Sequence, residues 1–339
     1  MNITIIGLDI AKSVFHVHGV DGEGSVQVSR ALKRAKVEPF FAALAPCIVG
    51  IEACGTSYHW ARVLRSHGHD VRLIAPAHVK AYVRRNKTDA ADAAAICEAT
   101  SRPTTRFVPI REEEEQAVIA LHRMREMLVK QRTMLINGLR SQLAEFGVVA
   151  PRGHEGAGAL CALVGDDEEQ RIPPIMRPAL KILAEQIAAL EGQVATIEKQ
   201  LKTWHGQDAT SRRIASIPGL GLITATAIAA KVRNPQRFAS ARGFAAWLGL
   251  TPSQHSTGGK IRLGPITKAG DRYIRRLLVS CAQSLLTANK RRRVPDPWLA
   301  KLLAGKARMV AAVALANKLA RIVWAVMTRQ TTYRTAEPA

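Results

Sequence analysis

Four carboxylates stand at positions where their side chains can meet. Asp9 and Glu52 each end a short apolar run that is typical of a buried strand. Asp89 and Asp92 are three residues apart in a helical stretch, so both lie on one face of that helix. Carboxylates at the ends of two adjacent strands, facing a helix that carries two more, are predicted to converge on one cleft.

Such a cluster predicts a metal site for phosphodiester chemistry. Clustered acids repel and raise one another's pKa, and divalent cations offset that cost. An oxygen-only set without His or Cys suits Mg²⁺ or Mn²⁺. Two such ions, about 4 Å apart, activate a nucleophile and stabilise the leaving oxygen. Each acid alone has another interpretation: Asp92 as a surface charge on the helix, Asp9 as a turn residue after a strand.

A second constellation is the hydroxyl-rich stretch at 249–278. Ser256 or Thr257, beside two glycines, can approach a phosphate closely and serve as a nucleophile, with nearby cations stabilising the transition state. His255 is a candidate base, although the acids and metal can serve instead. The alternative is a loop that contacts phosphate without catalysis. The cations predicted to contact phosphate are Lys260, Arg262, Lys268, Arg272, Arg275, Arg276 and the run at 290–293.

A third feature is the segment IPGLG at 217–221. A turn of this kind between two helices exposes backbone N–H groups, which bind phosphate without reading base sequence. It is similar to the helix–hairpin–helix of many DNA-binding proteins, with Gly219 and Gly221 as the contact positions. A plain interhelical turn is the alternative.

The charge distribution agrees with a polyanionic partner. The 339-residue chain carries 49 basic and 27 acidic residues, a net charge of +22. Residues 231–334 hold 21 of the basic residues and only two acids, so that stretch carries +19 and the remainder +3. A field of one sign in one third of the chain indicates nucleic acid. A basic surface that only aids solubility is the alternative.

The elements that must position these residues fall into three zones and a tail. Strands, then alternating helices and strands, predict an α/β domain with a mixed sheet at 1–105. Apolar residues spaced four and three apart predict a helical coiled-coil region at 106–205, interrupted by a Gly- and Pro-rich loop at 148–174. Its seam is predicted to close as a helical hairpin that also dimerises. The alternative is that these helices only pack on their own domain. A basic, mostly helical zone at 206–330 and a loose tail at 331–339 follow.

Several classes of protein are excluded by composition. No run reaches the roughly 18–20 apolar residues of a membrane span, and the first residues lack the features of a signal peptide. The five cysteines show neither a CxxC pair nor zinc-ligand spacing. The sequence therefore predicts a cytoplasmic protein with free thiols.

These residues resemble a known family. GLDIAK with Asp9, IEACGT with Glu52, and NKTDAADA with Asp89 and Asp92 resemble the DEDD transposases of bacterial insertion sequences. IPGLG, GFAAWLGLTP, QHSTGGK and KAGDRYIRRLL resemble the C-terminal domain of the same family, in the branch whose loop reads HS(S/T)GGK. The resemblance covers nearly the whole chain, in the right order.

The resemblance implies more than spacing does. It implies an RNase H-like first domain, as in Holliday-junction resolvases, whose four acids bind Mg²⁺. It implies a serine nucleophile that joins covalently to DNA, and a composite centre between subunits of a homodimer or homotetramer. Family members are guided by a structured non-coding RNA that pairs with donor and target DNA. The implied location is the bacterial nucleoid.

The nucleophile and the activity have alternatives. Aligning the loop from its C-terminal side gives Ser256, and aligning from GLTP gives Thr257; we predict Ser256, because a primary hydroxyl is less hindered. The leading function is a transposase or recombinase. The alternatives are a structure-specific endonuclease using only the acidic site, a nucleic-acid packaging protein, and a folded but inactive copy of an element.

Overall fold

The computed structural model describes residues 2–83, 88–290 and 296–334. The chain divides into two compact units, Met1–Glu112 and Glu113–Ala339, called here the first and second units. The second unit includes both the predicted coiled-coil zone and the predicted C-terminal zone. Two positions of the NKTDAADA motif (86–87) and the last five residues of the predicted tail lie outside the described residues.

The first unit is built on a six-stranded mixed sheet. Its strands are β1 (Ile5–Asp9), β2 (Val14–Val20), β3 (Val26–Lys33), β4 (Ile48–Glu52), β5 (Asp70–Ile74) and β6 (Phe107–Val108). They lie in the order β3-β2-β1-β4-β5-β6. β4 and β5 continue parallel to β1, whereas β2, β3 and β6 pair antiparallel with their neighbours. The predicted mixed α/β domain is confirmed. β6 lies in a stretch predicted to be a loop.

Helices cover both faces of this sheet. They are α1 (Arg34–Ala42), α2 (Ser57–Ser66), α3 (Pro76–Val79) and α4 (Asp89–Ser101), with a 3-10 turn at Lys80–Tyr82. On one face, Ile6 and Leu8 of β1 pack in one core with Phe41 of α1 and Trp60 of α2. Strand alternation places Gly7 and Asp9 on the other face, which α4 covers.

A pair of glycines lets α4 lie directly on the sheet. Gly7 of β1 and Gly50 of β4 are neighbours in the parallel register. A Cβ on Gly7 would lie 2.1 Å from the carbonyl oxygen of Ala93, and one on Gly50 would lie 1.8 Å from Oγ1 of Thr100. The helix therefore contacts the strands through their backbone, and its first turn is held beside the end of β1.

We expect Gly50→Ala to test this close contact. The added methyl group must displace the side chain of Thr100, which donates a hydrogen bond to the carbonyl of Ile96 (2.6 Å). Overpacking of this kind destabilises a fold by about 1–3 kcal/mol. Urea unfolding should show a lower midpoint for Gly50→Ala. Gly55→Ala is the matched control, since nothing lies within 4 Å of its Cβ position. Equal midpoints for the two variants would contradict the packing argument.

The second unit is mostly helical, as predicted. Its helices are α5 (Glu113–Ala144), α6 (His154–Gly165), α7 (Arg177–Gln207), α8 (Ala209–Ala215), α9 (Leu222–Lys231), α10 (Ala241–Trp247), α11 (Arg272–Lys290), α12 (Pro297–Gly305) and α13 (Arg308–Arg329). A 3-10 turn (Pro235–Arg237) and a hairpin of β7 (Pro252–Gln254) and β8 (Leu263–Ile266) complete it. The prediction of a loop throughout 148–174 is wrong, because α6 forms there and buries Leu160 and Val164.

The predicted seam closes within one chain. α5 and α7 pack along their lengths, and Ile187, Val194 and Leu201 of the α7 heptad are buried. Arg125, early in α5, pairs with Glu198, late in α7, so the two helices run antiparallel. The hairpin thus forms within this chain, and dimerisation stays a prediction.

α13 is the most apolar of the long helices. Among the described residues, it is the one helix long and apolar enough to cross a membrane by length and hydropathy. Asn317, Lys318 and Arg321 interrupt it, so α13 is not an unbroken apolar run of about 18–20 residues. One side of α13, with Ala312, Leu319 and Val323, is buried in the core of the second unit. This is the packing of a core helix.

Candidate active site

Three of the predicted acids form a carboxylate cluster in the first unit. Asp9 ends β1, while Asp89 and Asp92 lie in the first turn of α4. One ligand oxygen from each lies within 4.8 Å of the others. Thr88 caps α4, because its Oγ1 accepts a hydrogen bond from the Ala91 N–H (3.2 Å). The helix N-terminus favours negative charge at both aspartates.

Glu52 lies at the same edge of the sheet, beside the cluster. It ends β4, and it follows Ile51, which pairs with Leu8 in the parallel register. Glu52 and Asp9 each stand two residues after a glycine that faces α4, so both side chains lie on that face. Glu52 is not part of the group within 4.8 Å, but its charge contributes to raising the pKa of Asp9. The structure therefore brings the four predicted acids to one edge and three of them to ligand distance.

The electrostatics of Asp9 reflect this crowding. Burial raises its pKa above the ordinary value, and Asp92, Asp89 and Glu52 raise it further. His16 acts in the opposite direction. Three carboxylates with oxygen donors at this spacing fit a divalent cation, which would relieve their repulsion.

The sequence interpretation missed His16. It pairs with Asp9 in the antiparallel β1–β2 register, and its Nε2 lies 3.7 Å from Oδ2 of Asp89. The alternation in SVFHVHGV shows that two histidines share one strand face. Only the register of the β1–β2 pair, which the sequence does not specify, reveals that this face also carries Asp9.

We expect the repulsion at Asp9 to appear in thermal unfolding. Because the pKa of Asp9 is raised in the folded state, protonation of Asp9 stabilises the fold. This contribution to stability is lost as pH rises through the folded-state pKa. At neutral pH without metal, Asp9→Asn should therefore raise Tm by a few degrees. A divalent cation should raise the Tm of the unmodified protein and not that of Asp9→Asn. A metal-induced shift of equal size in both proteins would count against this site.

The serine hairpin, defined as β7, β8 and the connection between them, carries the predicted nucleophiles. Gly258 and Gly259 have φ of 55° and 74°, and the Lys260 N–H donates to the Thr257 carbonyl (3.1 Å). Positive φ at both central residues defines a type I′ turn, which suits a tight hairpin. The two glycines thus shape the tip of a hairpin. The expectation of a mostly helical zone did not include it.

Ser256 and Thr257 differ in their contacts. Oγ of Ser256 accepts hydrogen bonds from Nε2 of Gln254 (2.9 Å) and from the N–H of Arg262 (3.2 Å), and the residue is exposed. Within the described ranges, the Thr257 hydroxyl has no hydrogen-bond partner and the His255 ring makes no bond to Ser256. The Ser256 oxygen is therefore oriented, and its proton remains available to a base.

Comparisons with known proteins decide the family. Residues 6–147 match the IS110-type DEDD transposase family, described as "Transposase", and residues 211–295 match the "Transposase IS116/IS110/IS902 family". The chain is 48% identical to a "Probable family 20 transposase" of Pseudomonas aeruginosa over 337 residues, which cover 98% of this chain and 99% of the relative. The chain belongs to the IS110/IS116 transposase family.

Other relatives agree with this assignment. The "Transposase for insertion sequence element IS1328" of Yersinia enterocolitica is 40% identical, over 98% of this chain and 99% of the relative. The "Transposase for insertion sequence element IS1111A" of Coxiella burnetii is 39% identical, over 98% and 92%. An IS110-family transposase is a DNA-cleaving and strand-transferring enzyme, and its DEDD domain implies the use of divalent metal.

The predicted cations of this transposase fall into two groups. Arg275 donates through Nη1 to the carbonyls of Leu248 (2.9 Å) and Ala269 (2.6 Å), so it ties together the two ends of the serine hairpin. Arg276 pairs with Glu126 of α5 (2.7 Å). The remaining predicted cations have exposed side chains without a partner among the described residues: Lys260, Arg262, Lys268 and Arg272. The side chain of Lys290 and residues 291–293 lie outside the described part of the chain.

The IPGLG turn of the transposase joins α8 to α9. Gly219 has φ of 84°, and a Cβ there would lie 2.6 Å from Cγ of Leu285 in α11, so close packing and backbone conformation both require glycine. Gly221 directly precedes α9 and is exposed. The first N–H groups of a helix lack intrahelical acceptors and suit an anion. At this turn the Gly221 N–H already donates to the Cys281 thiol.

A buried polar network supports α11, which carries Arg272 and Arg275. His122 of α5 is hydrogen-bonded through its two ring nitrogens to Tyr273 and Thr226 (3.1 Å each). Burial, with Lys231 and Arg125 nearby, lowers the pKa of His122 to about 4, so the ring is neutral at physiological pH. The network joins α5, α9 and α11, and no periodicity in the sequence indicates it.

Proposed function

We propose that this transposase cleaves and exchanges DNA strands through a covalent seryl–DNA intermediate at Ser256, in a reaction that requires Mg²⁺ or Mn²⁺. Asp9, Asp89, Asp92 and Glu52 would hold two ions. The observation that carries the proposal is the carboxylate cluster, whose ligand oxygens lie within 4.8 Å of one another. Bound divalent ions would supply charge neutralisation at phosphate and a more acidic nucleophile.

The covalent step is a transesterification. The Ser256 hydroxyl gives its proton to a base as its oxygen bonds to phosphorus. The bond from phosphorus to one ester oxygen breaks, and the departing sugar oxygen takes a proton. Reversal of this step with a different sugar hydroxyl rejoins the strand without an external energy source. Ser256 is favoured over Thr257 because two hydrogen bonds orient its oxygen and because its hydroxyl is primary.

Cations beside the nucleophile would stabilise the charge that develops on phosphate. Lys260 and Arg262 flank the hairpin tip, and Lys268 and Arg272 follow β8. Their exposed side chains lack partners among the described residues, so they are available to an anion. Gly219 and Gly221 would present backbone N–H groups to a more distant phosphate. The Gly221 N–H would have to share this contact with the Cys281 thiol. Arg275 and Arg276 have protein partners already, and any phosphate contact would have to share their guanidinium groups.

The recognition of target DNA is proposed to depend on RNA. The family resemblance supports a structured guide RNA that pairs with donor and target DNA, so that base pairing selects the sequence. The +19 charge of residues 231–334 would attract RNA as well as DNA. We further propose that the active enzyme is a homodimer or homotetramer.

A reconstituted reaction tests this proposal. The purified protein is incubated with labelled element-junction DNA and target DNA, with and without Mg²⁺, and with and without the transcript that flanks the gene. Recombinant product is expected only when metal and transcript are both present. Product that forms equally well with an unrelated RNA would refute the guide, and product that forms in a metal chelator would refute the metal site.

A further inference from the structure

A basic cavity lies in the helical hairpin region of the second unit, away from the serine hairpin in sequence. It has a volume of about 440 Å³ and is bounded by α5 and by the segment that leads into α6. This segment, PRGHEGAG at 151–158, was part of the predicted loop and has no place in the proposed reaction. The lining residues that matter are Arg132, Asn137, Arg140, Arg152, Gly153 and His154.

The rim of the cavity has a defined shape. Arg140 donates to the carbonyls of Ala150 (2.9 Å) and Pro151 (2.7 Å), which fixes the segment against α5. A Cβ on Gly156 would lie 1.9 Å from the Pro151 oxygen, so glycine is needed for this approach. Gly153 has φ of 106°, a conformation that other residues rarely adopt. These contacts hold Arg152 and the start of α6 at the rim.

The charges in the cavity are only partly balanced. Oε1 of Glu191 lies 3.7 Å from Nη1 of Arg132 and 3.5 Å from Nδ1 of His154. Among the described residues, no other acid lies within ion-pair distance of these two side chains. Arg152 is exposed and has no such partner there. The cavity therefore has an excess of positive charge.

Unused donors indicate that an acceptor is missing. Nε of Arg132 is buried and has no hydrogen-bond partner among the described residues. The side-chain amide of Asn137 also makes no hydrogen bond in that part of the chain, but it is exposed to solvent. A buried N–H without an acceptor costs about 1–3 kcal/mol, so its presence beside a cationic cavity favours an anionic ligand with several oxygen acceptors.

We propose that this cavity binds a phosphodiester of a nucleic-acid backbone. The donors are guanidinium, amide and imidazole groups, which suit phosphate oxygens. Phe, Tyr and Trp, which often stack on bases, are absent from the residues that line the cavity. The site would thus anchor nucleic acid independently of base sequence. Both DNA and RNA offer this chemistry, and the experiment distinguishes them.

The test compares Arg152→Ala with a matched variant, Arg123→Ala. Arg123 is an exposed arginine of α5, nine residues before Arg132 and outside the cavity. Binding of a duplex DNA of about 30 base pairs and of a hairpin RNA of similar length is measured by fluorescence anisotropy against salt concentration. All proteins in this test also carry Ser256→Ala, and a chelator is present. The measured binding therefore does not depend on the proposed catalytic reaction.

Loss of one phosphate contact should weaken binding about tenfold and reduce the salt slope by about one. We expect this for Arg152→Ala, near-complete recovery for Arg152→Lys, and a change under about twofold for Arg123→Ala. An effect on the RNA probe alone identifies a site for transcript, and an effect on the duplex identifies a site for DNA. Unchanged binding of both probes, or equal loss in Arg123→Ala, would overturn the proposal.

Discussion

Asp89→Asn is expected to lower the rate of DNA cleavage by about 10³-fold or more while the protein remains folded. Asn keeps the size of the side chain and its place in the first turn of α4, but removes one anionic ligand from the carboxylate cluster. Metal-assisted phosphodiester cleavage depends on several kcal/mol of charge stabilisation, and each 1.36 kcal/mol is tenfold in rate. The measurement is single-turnover cleavage of labelled junction DNA in the presence of Mg²⁺ and the flanking transcript.

Asp70→Asn provides the matched control. Asp70 begins β5, at the opposite end of the parallel strands from Glu52, and pairs with Arg72 on the surface. Its loss should change the cleavage rate by less than about twofold, since exposed ion pairs contribute little. Cleavage by Asp89→Asn at the unmodified rate would exclude the carboxylate cluster from the chemistry. A loss of the same size in Asp70→Asn would show that the effect is not specific to the cluster.

The second large effect is expected from Ser256→Ala. Removal of this hydroxyl should abolish the covalent protein–DNA adduct, because the seryl oxygen is the atom that we propose to bond to phosphorus. Thr257→Ala should retain the adduct. Thr257 is the next residue of the same hairpin, and its hydroxyl has no partner among the described residues. The assay traps reactions with denaturant and separates labelled adduct from free DNA by electrophoresis.

Two patterns of adduct formation would change the assignment of the nucleophile or of the activity. An adduct lost in Thr257→Ala and kept in Ser256→Ala would move the nucleophile by one residue. Cleavage without any adduct, unchanged in both variants, would leave an endonuclease that uses only the acidic site. Binding of junction DNA by each variant, measured in a chelator, serves as the control that the serine hairpin still engages substrate.

Much of the acidic site could be predicted because strand ends and helix faces follow from local patterns. Asp9 and Glu52 end apolar runs, and parallel strands bring such ends to one edge. The three-residue spacing of Asp89 and Asp92 fixes their common helix face. The sequence pattern did not reveal why α4 lies so close to the sheet. This depends on Gly7 meeting a glycine of the neighbouring strand, which requires the register.

Other features depended on long-range contacts. The sequence predicts a loop at α6 because Gly and Pro dominate its start, whereas Leu160 and Val164 are buried against the neighbouring helices. For Arg275, the sequence predicts a phosphate contact, which stays a prediction, and does not show that the side chain also donates to two backbone carbonyls at the ends of the serine hairpin. The position of His16 beside Asp9 follows only from the pairing of β1 with β2. In each case a tertiary contact, and not a local propensity, decides the role.

The most direct measurement is to identify the residue that is joined to DNA. The unmodified protein reacts with junction DNA, Mg²⁺ and transcript, the mixture is quenched in denaturant, and the nuclease-trimmed adduct is digested with trypsin for mass spectrometry. We predict a nucleotide on the peptide 243–260, with fragmentation placing it on Ser256 and no such peptide from Asp89→Asn. Cleaved DNA without a modified peptide, or a nucleotide on a residue outside the serine hairpin, would contradict the account.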